Sequence, residues 1–163
     1  ATVDRFARYG LPLHLTESSL VSGHLMPADI VDLNDYRIPD WPSTPEGEER
    51  QADELVRHYR SLVAHPLVEA ITYWGITDAG AWLGAPIGLV RADGTPKPSY
   101  DALRSLVKED WWLSPTRSLT DEHGRVSVSG FSGDYLLRAG DSVAAFTIDH
   151  TTDHLSISIP SNT

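Results

Sequence analysis

The chain has 163 residues and a net charge of −10, with 40% hydrophobic residues, which is typical of one globular domain or slightly more and not of a disordered protein. The absence of cysteine excludes a disulfide scaffold and a thiolate metal site. The acidic charge argues against a nucleic-acid partner, and no apolar run approaches the roughly 20 residues that a membrane-spanning helix needs.

The first predicted elements are a short helix and a strand that ends in a carboxylate. Apolar residues in 1–10 have helical spacing, and Gly10 suits the position after a helix end. Residues 11–17 alternate with leucines on one face, which predicts a short buried strand with Glu17 at its C-terminal end. Residues 1–10 contain no secretion signal, so we expect any such signal to have been removed or to lie upstream.

A long irregular segment and a helix follow. Residues 18–43 are rich in Pro, Asp and Ser, and loops of this length are usually functional or partly disordered. Thr44, Pro45 and Glu46 have the character of a helix N-cap and first turn. The apolar stripe after them predicts a helix that Pro66 ends.

The next part of the chain repeats the strand–helix order. Residues 68–76 are β-branched and aromatic, which predicts a strand. A Gly-rich loop follows at 78–84, and Pro96 and Pro98 lead into a helix. Strands that alternate with helices predict a parallel pair joined by a crossover helix.

The pattern changes to period two in the last third of the chain. Alternating apolar residues around 126–128 and 155–159 are separated by turn signals at 121–124, 130–133 and 140–141. We expect a small antiparallel, β-sandwich-like module of four or five strands over residues 113–163.

The predicted α/β part is too small to be a complete fold. Two parallel strands cannot close or be covered on both faces. A (β/α)8 barrel takes about 250 residues, or roughly 31 for each strand–helix unit. Residues 1–112 therefore correspond to about the last two units of such a barrel.

Three ordered blocks resemble glycoside hydrolase family 10, the retaining xylanases. LHLTE at 13–17 is similar to the strand that ends in the family's nucleophile. AITYWGITD at 70–78, with AWL at 81–83, resembles the final strand and its tryptophan-bearing loop, and residues 88–103 resemble the closing segment. The resemblance implies a xylan or xylo-oligosaccharide substrate, an extracellular enzyme, and the remainder of the barrel as a partner in upstream sequence or another chain. Residues 130–135 are similar to small β modules that follow the barrel in long bacterial members.

The sequence departs from the family pattern at three places. Ser19 stands where members often have an Asp two residues beyond the nucleophile, and the insertion at 18–43 is unusual for compact xylanases. The family's acid/base Glu lies in an Asn-Glu context on an earlier strand, and no Asn-Glu pair occurs in this chain. We therefore expect the isolated chain to be inactive.

Glu17 is the candidate catalytic residue. A Glu at the C-terminal end of a barrel strand lies on the face where that architecture places its chemistry. Retaining glycosidases use two carboxyl groups about 5–5.5 Å apart, one of which is the nucleophile. The alternative interpretation is a solvated carboxylate at a strand end.

Trp74 and Trp82 are the candidate substrate-binding residues. A sugar ring presents C–H groups that stack on an indole face. The alternative is that both tryptophans are core residues, and it applies less to Trp82 because that residue lies in a loop. Trp41 is either an anchor of the Pro-rich segment or a distal sugar platform.

Asp78 and His14 are possible supporting residues. Asp78 follows the second strand and either hydrogen-bonds an active-site side chain or caps a helix or turn. His14 alternates away from Glu17, so its simplest interpretation is a core histidine with satisfied hydrogen bonds.

We expect no metal and no other cofactor. Residues 149–154 place acids and imidazoles four apart, which suits a metal on a helix, but a polar turn explains them better in a β-rich segment. The spacing of Asp29, Asp32 and Asp35 does not match a calcium loop.

Two functions of different classes remain open from the sequence. The first is a catalytic portion of a xylan-cleaving enzyme, which Glu17, Trp74 and Trp82 favour. The second is a non-catalytic carbohydrate-binding or interaction fragment, which the missing acid/base residue favours.

Overall fold

Helices and strands alternate in the first part of the chain, and a strand pair follows. The computed structural model describes residues 2–149 and 151–159. The helices are α1 (Thr2–Ala7), α2 (Pro45–Val63) and α3 (Pro98–Ser105), and the strands are β1 (Leu13–Ser18), β2 (Val68–Tyr73), β3 (Gly133–Ala139) and β4 (Ser142–Ile148). Short 3-10 turns lie at Leu33–Asp35 and Trp82–Gly84, and a π-helical turn lies at Leu106–Asp110. The chain divides into two units, Ala1–Val107 and Lys108–Thr163, and the assignment of 1–112 to a barrel and 113–163 to an accessory module stays a prediction.

The first unit contains the predicted parallel strand pair. β1 pairs with β2 from Leu13 opposite Val68 to Ser18 opposite Tyr73, and α2 connects the two strands. A helix between two neighbouring strands returns the chain to the same end of the sheet, which makes the pair parallel. β2 ends at Tyr73, earlier than predicted, because Gly75 has a φ of 84° and leaves the extended region.

The first turn of α2 has the predicted cap. The Thr44 hydroxyl accepts a hydrogen bond of 3.0 Å from the Gly47 N–H, and Pro45 occupies the first turn. The predicted apolar stripe is buried at Leu55, Tyr59 and Leu62. The helix prediction is therefore confirmed, together with its N-terminus.

The prediction of a buried first strand is wrong in part. Leu13 and Leu15 are half-buried, and Leu11 is exposed. His14 is not a core histidine, because its side chain is 57% exposed and its Nε2 lies 3.6 Å from a carboxylate oxygen of Glu69. Its parity is opposite to that of the two half-buried leucines, so it lies on the open face of the strand pair.

The long segment 18–43 packs on the loop that follows β2. Trp41 is 5% exposed and forms a core cluster with Ala85 and Ile87. The Trp41 indole N–H donates a 3.0 Å hydrogen bond to the His24 carbonyl oxygen. Of the two alternatives for Trp41, the structure therefore supports the loop anchor and not a sugar platform.

The second unit contains one hairpin in the part of the chain that the structure describes. β3 and β4 pair antiparallel across Gly140 and Asp141, and the Tyr135 and Phe146 rings stack with centroids 5.4 Å apart. The expectation of four or five strands is wrong for these residues, because 126–128 and 155–159 are not in strands. Val128 is 63% exposed, so the alternating apolar and polar residues at 126–128 do not bury an apolar face.

None of the helices within the described residues is both long enough and apolar enough to span a membrane.

We expect Gly47→Ala to lower the stability of the chain. A Cβ at this position would lie 2.0 Å from the Ser22 carbonyl oxygen, so the backbone of one of the two segments must move. At an exposed helical site the same change stabilises a protein by about 0.5–1 kcal/mol. Here we expect a loss of about 1–3 kcal/mol in the free energy of unfolding, measured by urea denaturation. The exposed Glu49→Ala is the control, and a stabilised Gly47→Ala variant would contradict the close approach of α2 to Ser22.

Candidate active site

Glu17 and Trp74 lie at the same edge of the strand pair. Glu17 is an exposed residue near the end of β1, and Trp74 follows the last residue of β2. The Trp74 N–H donates a 2.9 Å hydrogen bond to the Ser18 carbonyl oxygen. Because the strands are parallel, their C-terminal ends meet at one edge. Trp74 is 47% exposed, so its indole is not a core side chain.

Trp82 lies on a tight turn after β2. It begins the 3-10 turn Trp82–Gly84, and its carbonyl oxygen accepts a 3.1 Å hydrogen bond from the Ala85 N–H. Leu83 has a φ of 58°, which is unusual for a residue other than glycine. The Trp82 side chain is 54% exposed. This turn therefore presents an indole to solvent on a constrained backbone.

Asp78 forms an ion pair with a buried lysine, Lys97. The Lys97 ammonium lies 2.7 Å from one carboxylate oxygen of Asp78 and 2.9 Å from the other, and the Lys97 side chain is fully buried. The Gly88 N–H donates a further hydrogen bond of 2.8 Å to the same carboxylate. Asp78 therefore holds its own loop to neighbouring backbone. Lys97 did not stand out in the sequence as a functional residue, because nothing in its local pattern indicates burial.

A second buried network links α2 to the ends of the strands. The Gln51 amide nitrogen donates to the Leu20 carbonyl oxygen at 2.7 Å and to the Tyr73 hydroxyl at 3.2 Å, and its amide oxygen accepts from the Ser99 hydroxyl at 2.9 Å. The Tyr73 hydroxyl donates to the Ile87 carbonyl oxygen at 2.8 Å. Burial raises the pKa of Tyr73 to about 12, so its hydroxyl remains a neutral donor.

The carboxylate of Glu48 lies close to the same network. It accepts hydrogen bonds from the Arg91 Nε at 2.9 Å and from the Ser43 hydroxyl at 3.0 Å. Burial by itself would raise the pKa of Glu48, but the hydrogen bonds from Arg91 and Ser43 outweigh it and hold the pKa below its usual value. This pair fixes the start of α2 to the segment that precedes α3.

His58 contacts the residue next to Glu17. Its Nε2 lies 2.6 Å from the Ser18 hydroxyl, and both side chains are partly buried. The contact joins the middle of α2 to the C-terminal end of β1. Local sequence patterns do not indicate this contact, since the two residues are 40 positions apart.

The described residues contain no group of three or more His, Cys, Asp or Glu side chains that is arranged to hold a metal ion. Of the residues considered for a metal in the sequence, His150 lies outside the described residues, and Asp149 accepts hydrogen bonds from Thr151 in a polar turn.

In sequence the chain is similar to xylanases and to one protein with a different name. It is 33% identical over 82 residues to endo-1,4-beta-xylanase Y of Acetivibrio thermocellus, which covers 43% of this chain and 8% of that protein. It is 28% identical over 113 residues to endo-1,4-beta-xylanase B of Thermotoga neapolitana, which covers 66% of this chain and 28% of that protein. It is also 29% identical over 119 residues to anti-sigma-I factor RsgI6 of Acetivibrio thermocellus, at 73% of this chain and 15% of that protein. No protein-family model matches the chain.

Among solved structures, xylanase 10B from Thermotoga petrophila in complex with xylobiose aligns with a TM-score of 0.49 and 22% identity, over 66% of this chain and 30% of that one. Native xylanase 10B from Thermotoga maritima aligns with a TM-score of 0.46 and 21% identity, over the same shares. The chain therefore spans less than a third of the length of each of these proteins. The sequence matches to the two xylanases confirm the resemblance to part of a xylanase that the residue blocks predicted.

We expect the buried carboxylate of Glu48 to make stability depend on acid pH. Its pKa is lowered in the folded chain, so its contribution is present above the unfolded pKa of about 4.3 and is lost as the pH falls through the folded pKa. In the variant Glu48→Gln, the glutamine cannot be protonated in this range, so the part of the free energy of unfolding that depends on an ionised Glu48 no longer changes with pH. The free energy of unfolding, measured by urea denaturation from pH 7 to pH 3, should therefore fall less steeply in the variant. The exposed Glu46→Gln is the control, and parallel profiles for Glu48→Gln and the unmodified chain would contradict this assignment.

Proposed function

We propose that the chain is part of a retaining glycoside hydrolase of family 10 that cleaves β-1,4-xylan or a related plant polysaccharide. The observation that carries the proposal is the sequence similarity to two proteins named endo-1,4-beta-xylanases. The position of Glu17 at the C-terminal end of a parallel strand supports it, because barrel enzymes place their catalytic residues at such ends. In this proposal residues 1–112 form about the last two strand–helix units of a (β/α)8 barrel, and 113–163 form a small accessory β module.

Glu17 is the nucleophile in this proposal. Its carboxylate attacks the anomeric carbon, the glycosidic bond breaks, and a glycosyl-enzyme forms that water then hydrolyses. A second carboxyl group must protonate the leaving-group oxygen and later activate the water. The sequence lacks the Asn-Glu pair of the family's acid/base residue, so that group belongs to the remainder of the barrel.

Trp74 and Trp82 bind the sugar in this proposal. Their indoles are 47% and 54% exposed, and both residues follow the C-terminal end of β2, which lies beside the end of β1 that carries Glu17. Exposed indoles of this kind provide flat apolar faces for the C–H groups of a sugar ring. Asp78 supports the Trp82 turn through Lys97 and Gly88. His14, the other possible supporting residue, lies 3.6 Å from Glu69 on the open face of the strand pair. An extracellular location completes the proposal and rests on the family resemblance alone.

A second candidate function is a non-catalytic carbohydrate-binding or interaction fragment. One observation favours it, namely that a relative matching 73% of this chain is named an anti-sigma-I factor and not a hydrolase. The exposed indoles suit sugar binding without hydrolysis equally well. The activity of the complete protein separates the two candidates.

We expect Glu17→Gln to abolish xylan hydrolysis by the complete protein that carries this chain. The amide keeps the shape of the side chain but cannot attack the anomeric carbon, so binding of xylo-oligosaccharides should persist. We expect the isolated 163-residue chain to be inactive, because general acid catalysis typically supplies about 10²–10⁴-fold and its acid is missing. The measurement is reducing-sugar release from β-1,4-xylan by the complete protein, the Gln variant and the isolated chain.

The exposed Glu49→Gln on α2 is the matched control for the loss of a carboxylate. Robust release by the isolated chain would contradict the proposal that it is an incomplete enzyme. An active Glu17→Gln variant would remove Glu17 from the mechanism, and an inactive complete protein that still binds xylo-oligosaccharides would favour the second candidate.

We expect Trp82→Ala to weaken binding of xylo-oligosaccharides by about threefold to twelvefold, since a stacked aromatic contact contributes roughly 0.5–1.5 kcal/mol beyond area burial. The exposed position of the indole predicts little loss of folding stability. Trp112→Ala is the matched control, because Trp112 is also 54% exposed. Isothermal titration with xylohexaose measures the effect on the complete protein, and an unchanged affinity would show that Trp82 is not a sugar platform.

A further inference from the structure

The two segments that follow β1 and β2 meet around one buried charge. We call them the rim segments and define them as residues 18–43 and residues 74–88. Lys97 is one of only two lysines in the chain, and its side chain is fully buried. Lysine is almost never fully buried unless its charge is paired, because an unpaired charge in the interior costs free energy. The contacts of the Lys97 ammonium therefore show which groups its charge holds together.

The Lys97 ammonium contacts both rim segments. It donates a 2.7 Å hydrogen bond to the Ser22 hydroxyl of the first segment. It also lies 2.7 Å and 2.9 Å from the two carboxylate oxygens of Asp78 in the second. The ammonium therefore has three oxygen atoms within 2.9 Å, and each segment supplies at least one of them.

The partners of Lys97 are themselves bonded to the backbone of the second segment. The Ser22 N–H and the Ser22 hydroxyl both donate to the Pro86 carbonyl oxygen at 2.8 Å. The Asp78 carboxylate accepts from the Gly88 N–H at 2.8 Å. A Cβ at Gly88 would lie 2.5 Å from the Asp78 nitrogen, so the backbone approaches here as closely as only glycine permits. Through Ser22 and Asp78, the contacts of Lys97 therefore also help to fix the backbone at Pro86 and Gly88.

Apolar packing lies beside this polar contact. Trp41 of the first rim segment is buried against Ala85 and Ile87 of the second, and Ala81 packs on the same cluster. Ala81 directly precedes Trp82, whose indole is exposed. The loop that carries Trp82 is thus linked to the first segment through the Trp41 cluster and through the contacts of Lys97.

We propose that Lys97 is a positioning residue that holds the two rim segments together as one sugar-facing surface and thereby sets the position of Trp82. This role rests on the proposed function for the part that concerns the sugar. It differs from a general contribution to folding, because it predicts a local effect on the rim segments. Replacing Lys97 should release these segments while α2 and the strand pair remain intact.

The test uses two variants of the complete protein that carries this chain. Lys97→Met removes the ammonium with little change in volume but leaves the Asp78 carboxylate buried without its partner, which can unfold the chain. The double variant Asp78→Asn with Lys97→Met leaves no unpaired charge, and the Asn oxygen still accepts from the Gly88 N–H. Lys108→Met, at the other lysine, is the matched control because Lys108 is exposed.

The measurement is hydrogen exchange at individual amides. In the double variant we expect the amides of Ser22, Ala81, Gly84 and Ala85 to exchange about tenfold to a hundredfold faster, because hydrogen bonds to a charged group contribute that much to an opening equilibrium. The amides of Leu55 and Tyr59 in α2 should keep their rates. Equal acceleration at all of these amides, or no acceleration at the rim segments, would overturn the proposal.

A second arm adds xylohexaose to the unmodified complete protein and to its double variant. We expect the sugar to slow exchange around Trp82 in the unmodified protein and to have a smaller effect in the double variant. If the sugar has no effect on the unmodified protein, the proposed function of Trp82 fails, while the exchange rates without sugar still decide the role of Lys97. If the sugar protects both proteins equally, Lys97 does not position Trp82 and the proposal is overturned.

Discussion

The ion pair between Lys97 and Asp78 is the contact on which the rest of the first unit depends. A lysine that is fully buried is stable only when its charge is matched, and both carboxylate oxygens of Asp78 lie within 2.9 Å of its ammonium. The Ser22 hydroxyl, in the segment that follows β1, accepts a further hydrogen bond from the ammonium. Because breaking such a pair leaves an unmatched charge inside the protein, the two loops and the start of α3 must keep their relative positions.

The first half of α2 extends this constraint over the remaining loops. Glu48 and Gln51 are buried polar residues three positions apart, so they lie on one face of the helix. Gln51 bonds to backbone oxygens after β1 and after β2, and Glu48 pairs with Arg91. One helix thus carries polar groups in its N-terminal half, which hold irregular backbone, and apolar groups in its C-terminal half, which pack in the core. Long loops are tolerated at this edge because their backbone groups have defined partners.

The parallel strand pair places the candidate site residues Glu17 and Trp74 at one edge of the sheet. Parallel pairing brings the end of β1, with Glu17, next to the end of β2, with Trp74. The loops that follow the strands would otherwise be free to move, but Lys97, Gln51 and the Trp41 cluster hold them. The chain spans between 8% and 28% of the length of the xylanases that it matches in sequence.

Local signals in the sequence determined α2, its Thr44 cap, the parallel order of the strands and the turn at Gly140, because each depends on near neighbours or on chain order. They also identified Glu17, Trp74 and Trp82 as residues at strand ends and in the loop after β2. Sequence failed where burial depends on distant partners. His14 is exposed because the alternation of a strand does not reveal which face is covered, and 126–128 and 155–159 alternate without being in strands. Lys97 is buried because Ser22 and Asp78, 75 and 19 positions away, converge on its ammonium, and only the tertiary structure brings those oxygens together.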